Sequence, residues 1–127
     1  MSFIYAALAS ILFSLGLLGD VPYAQLDGAF EANNPNAIVA LGKQKILINV
    51  LGKEGVYSQP QAALVLKDFF TRKPGSEFNF YFKGKESSDG TFAIGNYTSR
   101  GEKFRVTIHF KKEGDQYKIE SLRIEEE

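Results

Sequence analysis

From Glu77 onward the chain repeats one pattern four times, a run of alternating apolar and polar residues closed by a turn. Glu77 to Lys83 sets Phe78, Phe80 and Phe82 on one side and Asn79, Tyr81 and Lys83 on the other. Ser87-Ser88-Asp89-Gly90 turns the chain into Thr91 to Tyr97, and Ser99-Arg100-Gly101 turns it into Lys103 to Lys111. In that third run Phe104, Val106, Ile108 and Phe110 oppose Arg105, Thr107, His109 and Lys111. Glu113-Gly114-Asp115 leads into Gln116 to Ile124, where Tyr117 and Ile119 share one phase but Leu122 and Ile124 share the other. A bulge near Glu120-Ser121, adding one residue to the ladder, reconciles the two. A period of two demands pleated strands, and short turns make them an antiparallel meander with one oily face. That face has to be covered.

The residues ahead of it supply the cover. Val21, Tyr23, Leu26, Ala29 and Phe30 fall at helical spacing after Pro22, and Asn33-Asn34-Pro35 breaks the helix. Pro35 to Leu41 forms a second short helix, with Asn34 as its cap and Gly42 as its stop. Residues 44–51 are rich in β-branched side chains and leucine and read as the first strand. Gly52-Lys53-Glu54-Gly55 turns it into a short return strand at Val56-Tyr57. Ser58-Gln59-Pro60-Gln61 is a capping box, and Ala62, Val65, Leu66, Phe69 and Phe70 form the apolar stripe of a third helix ended by Pro74-Gly75. Helices ahead of an antiparallel meander make an α+β domain over residues 20–127. Its expected core joins Phe78, Phe80, Phe82, Phe104, Val106, Ile108 and Phe110 to Leu66, Phe69 and Phe70.

Residues 1–19 carry no charged side chain and are almost wholly apolar from Phe3 onward, until Asp20-Val21-Pro22 ends the run. The run is shorter than the roughly 20 residues a spanning helix needs, so it reads as a signal-peptide core. It has no basic residue at its start and no Ala-x-Ala site toward its end, Ser14-Leu15-Gly16 being the nearest small-x-small match there. A retained helix, anchoring the domain to a membrane, is the alternative.

Lys and Arg balance Asp and Glu at 15 each, with the cations scattered and the end acidic at Glu125-Glu126-Glu127. Nucleic-acid binders draw affinity from a basic stripe, so nucleic acid is not an expected partner. The chain has no cysteine, which excludes disulfides, thiol catalysis and Cys-ligated zinc.

Several segments together resemble a bacterial family known as domain of unknown function 4783. They are Lys53 to Ser58, the Gln61–Phe70 helix with its Leu-Lys-Asp-Phe-Phe ending, Phe92-Ala93-Ile94-Gly95, Phe104-Arg105-Val106, and Ile119 with Leu122-Arg123-Ile124. The resemblance runs from about Asp20 to Glu126. That family is similar to the nuclear transport factor 2-like superfamily, also described as cystatin-like, in which helices and a curved sheet form a cone. The resemblance implies a periplasmic or exported protein and a homodimer. It implies no activity and carries no catalytic residues.

Enzymes built on such cones place a carboxylate and a Tyr, or a His-Asp pair, inside the cavity. Here Glu54, Glu77, Glu86, Asp89, Glu102, Glu113 and Asp115 fall in turns or at strand ends, and inward strand positions are nearly all apolar. His109 is the single histidine, in phase with Arg105 and Lys111, and reads as a half-exposed strand residue. No phosphate-binding loop arises from Gly84, Gly90, Gly95 and Gly101; they serve turns, with Gly95 at a bend or bulge. No cofactor and no metal are expected. The face opposite the Phe ladder, with Asn79, Tyr81, Ala93, Tyr97, Arg105, Thr107 and His109, reads either as a dimer interface or as an ordinary solvated sheet face. The sequence therefore points to a non-catalytic binding or structural module that pairs with a second copy. A carrier of a small apolar ligand, or an isomerase or dehydratase using the cone interior, is the alternative.

Overall fold

The computed structural model describes residues 19–127, so the expectation of an export segment lies almost wholly outside the described residues. The order is α1 (Tyr23–Glu31), α2 (Pro35–Val39), β1 (Gly42–Val50), β2 (Lys53–Ser58), α3 (Gln59–Arg72), β3 (Glu77–Lys83), β4 (Gly90–Ser99), β5 (Glu102–Glu113) and β6 (Gln116–Glu126). The strands form one six-stranded sheet in the order β2-β1-β6-β5-β4-β3. Every pairing is antiparallel except β1 with β6. All the expected elements form, but β2 is longer and starts earlier, because the turn from β1 is only Leu51-Gly52. Both residues have positive φ, 52° and 91°, the backbone of a tight two-residue hairpin. Asn49 Oδ1 accepts the Gly52 N–H at 3.1 Å and holds that turn. Ser58 caps α3 as expected, accepting from the Gln61 amide while Gln61 accepts from the Ser58 amide.

Besides a register shift of β1 against β6 between Gly42 and Leu47, two irregularities interrupt the antiparallel ladders. One skips Glu120, so that Ser121 faces His109 while Ile119 faces Phe110, which is the bulge the phase change demanded. The other falls between Phe80 and Phe82: Phe80 lies opposite Gly95, and Phe82 opposite Ile94. That extra residue turns Phe82 outward, so the Phe ladder ends at Phe80, and Lys83 takes the inner phase with its ammonium 4.5 Å over the Tyr23 ring. Gly95 sits opposite this bulge, and a Cβ there would lie 2.6 Å from the Phe78 ring, so only glycine lets that ring lie flat on β4.

The concave face carries the core. Ile46, Ile48, Phe78, Val106, Ile108, Ile119, Leu122 and Ile124 meet Leu26 and Phe30 of α1, Ile38 and Val39 of α2, and Leu66, Phe69 and Phe70 of α3. Rings fill its centre: Phe30 stacks on Phe78 at 4.4 Å, and Phe69 meets Phe104 edge-on at 5.3 Å. Tyr97 belongs to this cluster, fully buried with its ring 5.7 Å from Phe69 and 5.6 Å from Phe70. The expectation that Ala93 and Tyr97 face outward is therefore overturned. In β4 the alternation hides its phase, because Ala93 and Gly95 contribute little hydrophobicity while Phe92 and Ile94, the bulkier pair, face out.

Candidate functional site

Three rows of side chains cross the outer face of the sheet. The pairing register aligns Val56, Leu47, Ser121, His109 and Phe92 from β2 to β4. Phe82 of β3 extends this row, its ring 5.3 Å from Phe92, which in turn stacks on His109 at 5.4 Å with the planes 21° apart. The row is open to solvent: Val56 is 64% exposed, Phe82 45% and Phe92 36%, with Tyr81 beside them at 50%. Next to it Glu54, Asn49, Arg123, Thr107 and Ile94 form a second row. The third runs Glu125, Arg105, Asn96 and Asn79.

Between the first two rows lies a hollow of about 240 Å³, walled by Leu47, Asn49, Glu54, Thr107, His109 and Arg123. Glu54 accepts from Asn49 Nδ2 at 3.4 Å. Arg105, Arg123, Glu54 and Glu125 take no part in any ion pair among the described residues, whose bridges join other side chains. The face thus presents two cations and two anions without ion-pair partners among the described residues, beside a strip of rings. The Asn96 Oδ1 in the third row is buried with no hydrogen-bond donor.

The surface expected from sequence is brought together in part. Asn79, Tyr81, Arg105, Thr107 and His109 do share the outer face, whereas Tyr97 lies in the core. Sequence reasoning missed Leu47, Val56, Phe82, Phe92, Arg123 and the two glutamates. The signal for Leu47 was masked by its neighbours Ile46 and Ile48, which make the strand look apolar on both sides.

The inner side offers less chemistry. Tyr23 and Asp27 lie one turn apart on α1 and set a phenol and a carboxylate toward the sheet; Tyr23 OH, Asp27 Oδ1 and Thr91 Oγ1 are buried without partners. Burial, then the charge of Glu86 and the phenol of Tyr117, push the Tyr23 hydroxyl above its ordinary range. It stays a donor at neutral pH and is no base. Among the described residues no three His, Cys, Asp or Glu side chains gather to hold a metal, and no helix is long and apolar enough to cross a membrane.

The sequence profile of the domain of unknown function DUF4783 matches residues 24–125. The chain belongs to the DUF4783 family. A DUF4783 family protein from Bacteroides ovatus is similar at 26% identity and a TM-score of 0.78, over 86% of this chain and 97% of that one. A Nostoc punctiforme domain of unknown function with a cystatin-like fold aligns with a TM-score of 0.65 and 14% identity, covering 82% of this chain and 72% of that one. An NTF2-like protein of unknown function from Silicibacter pomeroyi aligns at 0.61 with 12% identity, over 99% of this chain and 98% of that one. The α+β cone of the NTF2-like and cystatin-like type is the fold of this DUF4783 chain. No curated protein matches it.

Proposed function

We propose that this DUF4783 protein is an exported, non-catalytic binding and structural module that works as a homodimer, paired through the outer sheet face. The observation that carries the reading is the row Phe82, Phe92, His109, Leu47 and Val56, exposed across the whole sheet beside unpaired charges of both signs. Exposed apolar side chains at both ends of the row, Phe82 and Phe92 on one side of His109 and Ser121, and Leu47 and Val56 on the other, beside polar groups, mark an association site. The charges favour a second copy as the occupant. A two-fold axis presents each surface to itself, so Arg105 and Arg123 of one copy can meet Glu54 and Glu125 of the other. A face of one sign would repel itself; this one is self-complementary. The uncharged, largely apolar run ahead of Asp20 supports export.

Sedimentation equilibrium of wild type and Phe92→Glu tests the reading. A wild-type dimer is expected, and a buried carboxylate in place of the central ring weakens it by about a hundredfold or more. The folded state survives, because Phe92 packs on the outside. A wild type that stays monomeric at high concentration sinks the proposal.

A second reading, a carrier of a small ligand in the cone, is favoured by the unpartnered Tyr23, Asp27 and Thr91 atoms. It predicts a small molecule that co-purifies with the protein from its native host and is lost in Tyr23→Phe. Native mass spectrometry showing only the bare chain eliminates it.

A further inference from the structure

The single histidine of the chain stands on β5, inside the six-stranded sheet, in the middle of the exposed row. Its imidazole stacks on Phe92 on one side and faces Ser121 on the other, and it forms part of the wall of the hollow. We propose that His109 makes assembly pH-dependent, the dimer forming when the imidazole is neutral and dissociating when it is protonated. The inference rests on the outer-face dimer proposed above.

The charges around it decide the sign. Along β5 the outer face carries Arg105, Lys111 and Glu113, the last already bridged to Lys118 of β6 at 3.7 Å; β6 adds Arg123 and Glu125, β1 adds Lys45, and β2 adds Glu54. From β4 and β3 it meets only Phe92, Ile94, Tyr81 and Phe82, with no charge. Glu120, at the bulge, is already paired with Lys43 at 4.0 Å. Cations thus outnumber anions near the ring, and the two remaining carboxylates are the ones matched to arginines across the interface. In the free chain an imidazolium keeps water on one face and the Phe92 ring on the other, which suits a cation. In the dimer it loses that water, while the arginines and glutamates of the two copies are matched to one another, so the ring gains no anion of its own. Burial without a partner disfavours the charged form. A histidine is the side chain whose ordinary titration range, near pH 6.5, makes such a change reachable under mild conditions.

Because each copy contributes one histidine, dimerisation excludes two protons. The dissociation constant then rises by up to about a hundredfold per pH unit below the titration range. Sedimentation equilibrium at pH 7.5 and pH 5.5, on wild type and His109→Gln, tests this. The wild-type dissociation constant is expected to rise at least about tenfold on going to the lower pH, and His109→Gln to flatten that rise whatever its own affinity. A wild-type dimer of equal strength at both values overturns the switch and leaves the dimer standing, as does an undiminished pH response in His109→Gln. A monomer at pH 7.5 overturns both. Circular dichroism at pH 5.5 checks that the domain is still folded, so that dissociation is read as dissociation.

Discussion

Phe30→Ala is expected to cost about 3–5 kcal/mol, enough to remove most of the stability of a domain this size. Phe30 is fully buried on α1 and reaches across the layer between helices and sheet. It stacks on Phe78 of β3 at 4.4 Å, meets Phe70 of α3 edge-on at 5.9 Å and approaches Tyr97 of β4 at 6.5 Å. Removing it deletes contacts among three elements at once and leaves a void whose walls are themselves large rings. Those rings cannot all move inward: Phe78 is held against Gly95, and Tyr97 is tied by its hydroxyl. Poor collapse puts the cost toward the upper end of the range. In thermal unfolding Tm should fall by more than about 12 °C. A drop of only a few degrees would mean that the helix layer repacks freely and that the ring cluster is not the centre of the core.

The same cluster explains what the sequence could and could not disclose. The inward phases of β5 and β6 were readable because each inward position holds a large apolar residue, and even the skipped Glu120 announced itself as a phase change. The capping box at Ser58 was readable because its two partners lie three residues apart. In β4 the side chains mislead, since the inward set is Ala93, Gly95, Tyr97 and Ser99 and looks more polar than the outward set of Phe92, Ile94 and Asn96. What makes Tyr97 an inward residue is distant: the backbone of Lys73 and the side chain of Asn33 accept and donate to its hydroxyl. The bulge in β3 has no marker in its own alternation, which runs unbroken through Phe82; its cause lies opposite, at Gly95. The outer face was half legible for a related reason. Residues on β3 and β5 disclosed themselves, but the row they belong to is completed by β1, β2 and β6. The parallel contact of β1 with β6 joins segments about seventy residues apart, beyond the reach of any local pattern.

Tyr97→Phe is expected to cost about 1–3 kcal/mol at neutral pH, although it deletes a single oxygen. That oxygen donates to the Lys73 carbonyl at 2.6 Å and accepts from Asn33 Nδ2 at 3.1 Å. Asn33 in turn accepts the Gly75 N–H at 3.2 Å, and Ser99 Oγ donates to the Pro74 carbonyl at 2.5 Å. Tyr97 therefore ties the ends of α1 and α3 and the start of β3 to the middle of the sheet. Phenylalanine fills the same space but leaves the Lys73 carbonyl without this donor. The pH profile separates this account from a packing defect. Burial raises the Tyr97 phenol above its ordinary range, outweighing the Asn33 and Gly75 contacts that act the other way. A raised value means the folded state holds the proton more tightly than the unfolded chain. The stabilisation is then fully present below about pH 10, the unfolded value, and is lost as pH rises through the folded one. Urea unfolding from pH 7.5 to 11 should show a constant gap between wild type and Tyr97→Phe up to about pH 10, narrowing above it. Tyr23, raised in the same direction, keeps part of the alkaline fall in both proteins. A gap that stays unchanged to pH 11 would show that the cost of Tyr97→Phe is a packing defect and that the hydroxyl contributes nothing through its proton.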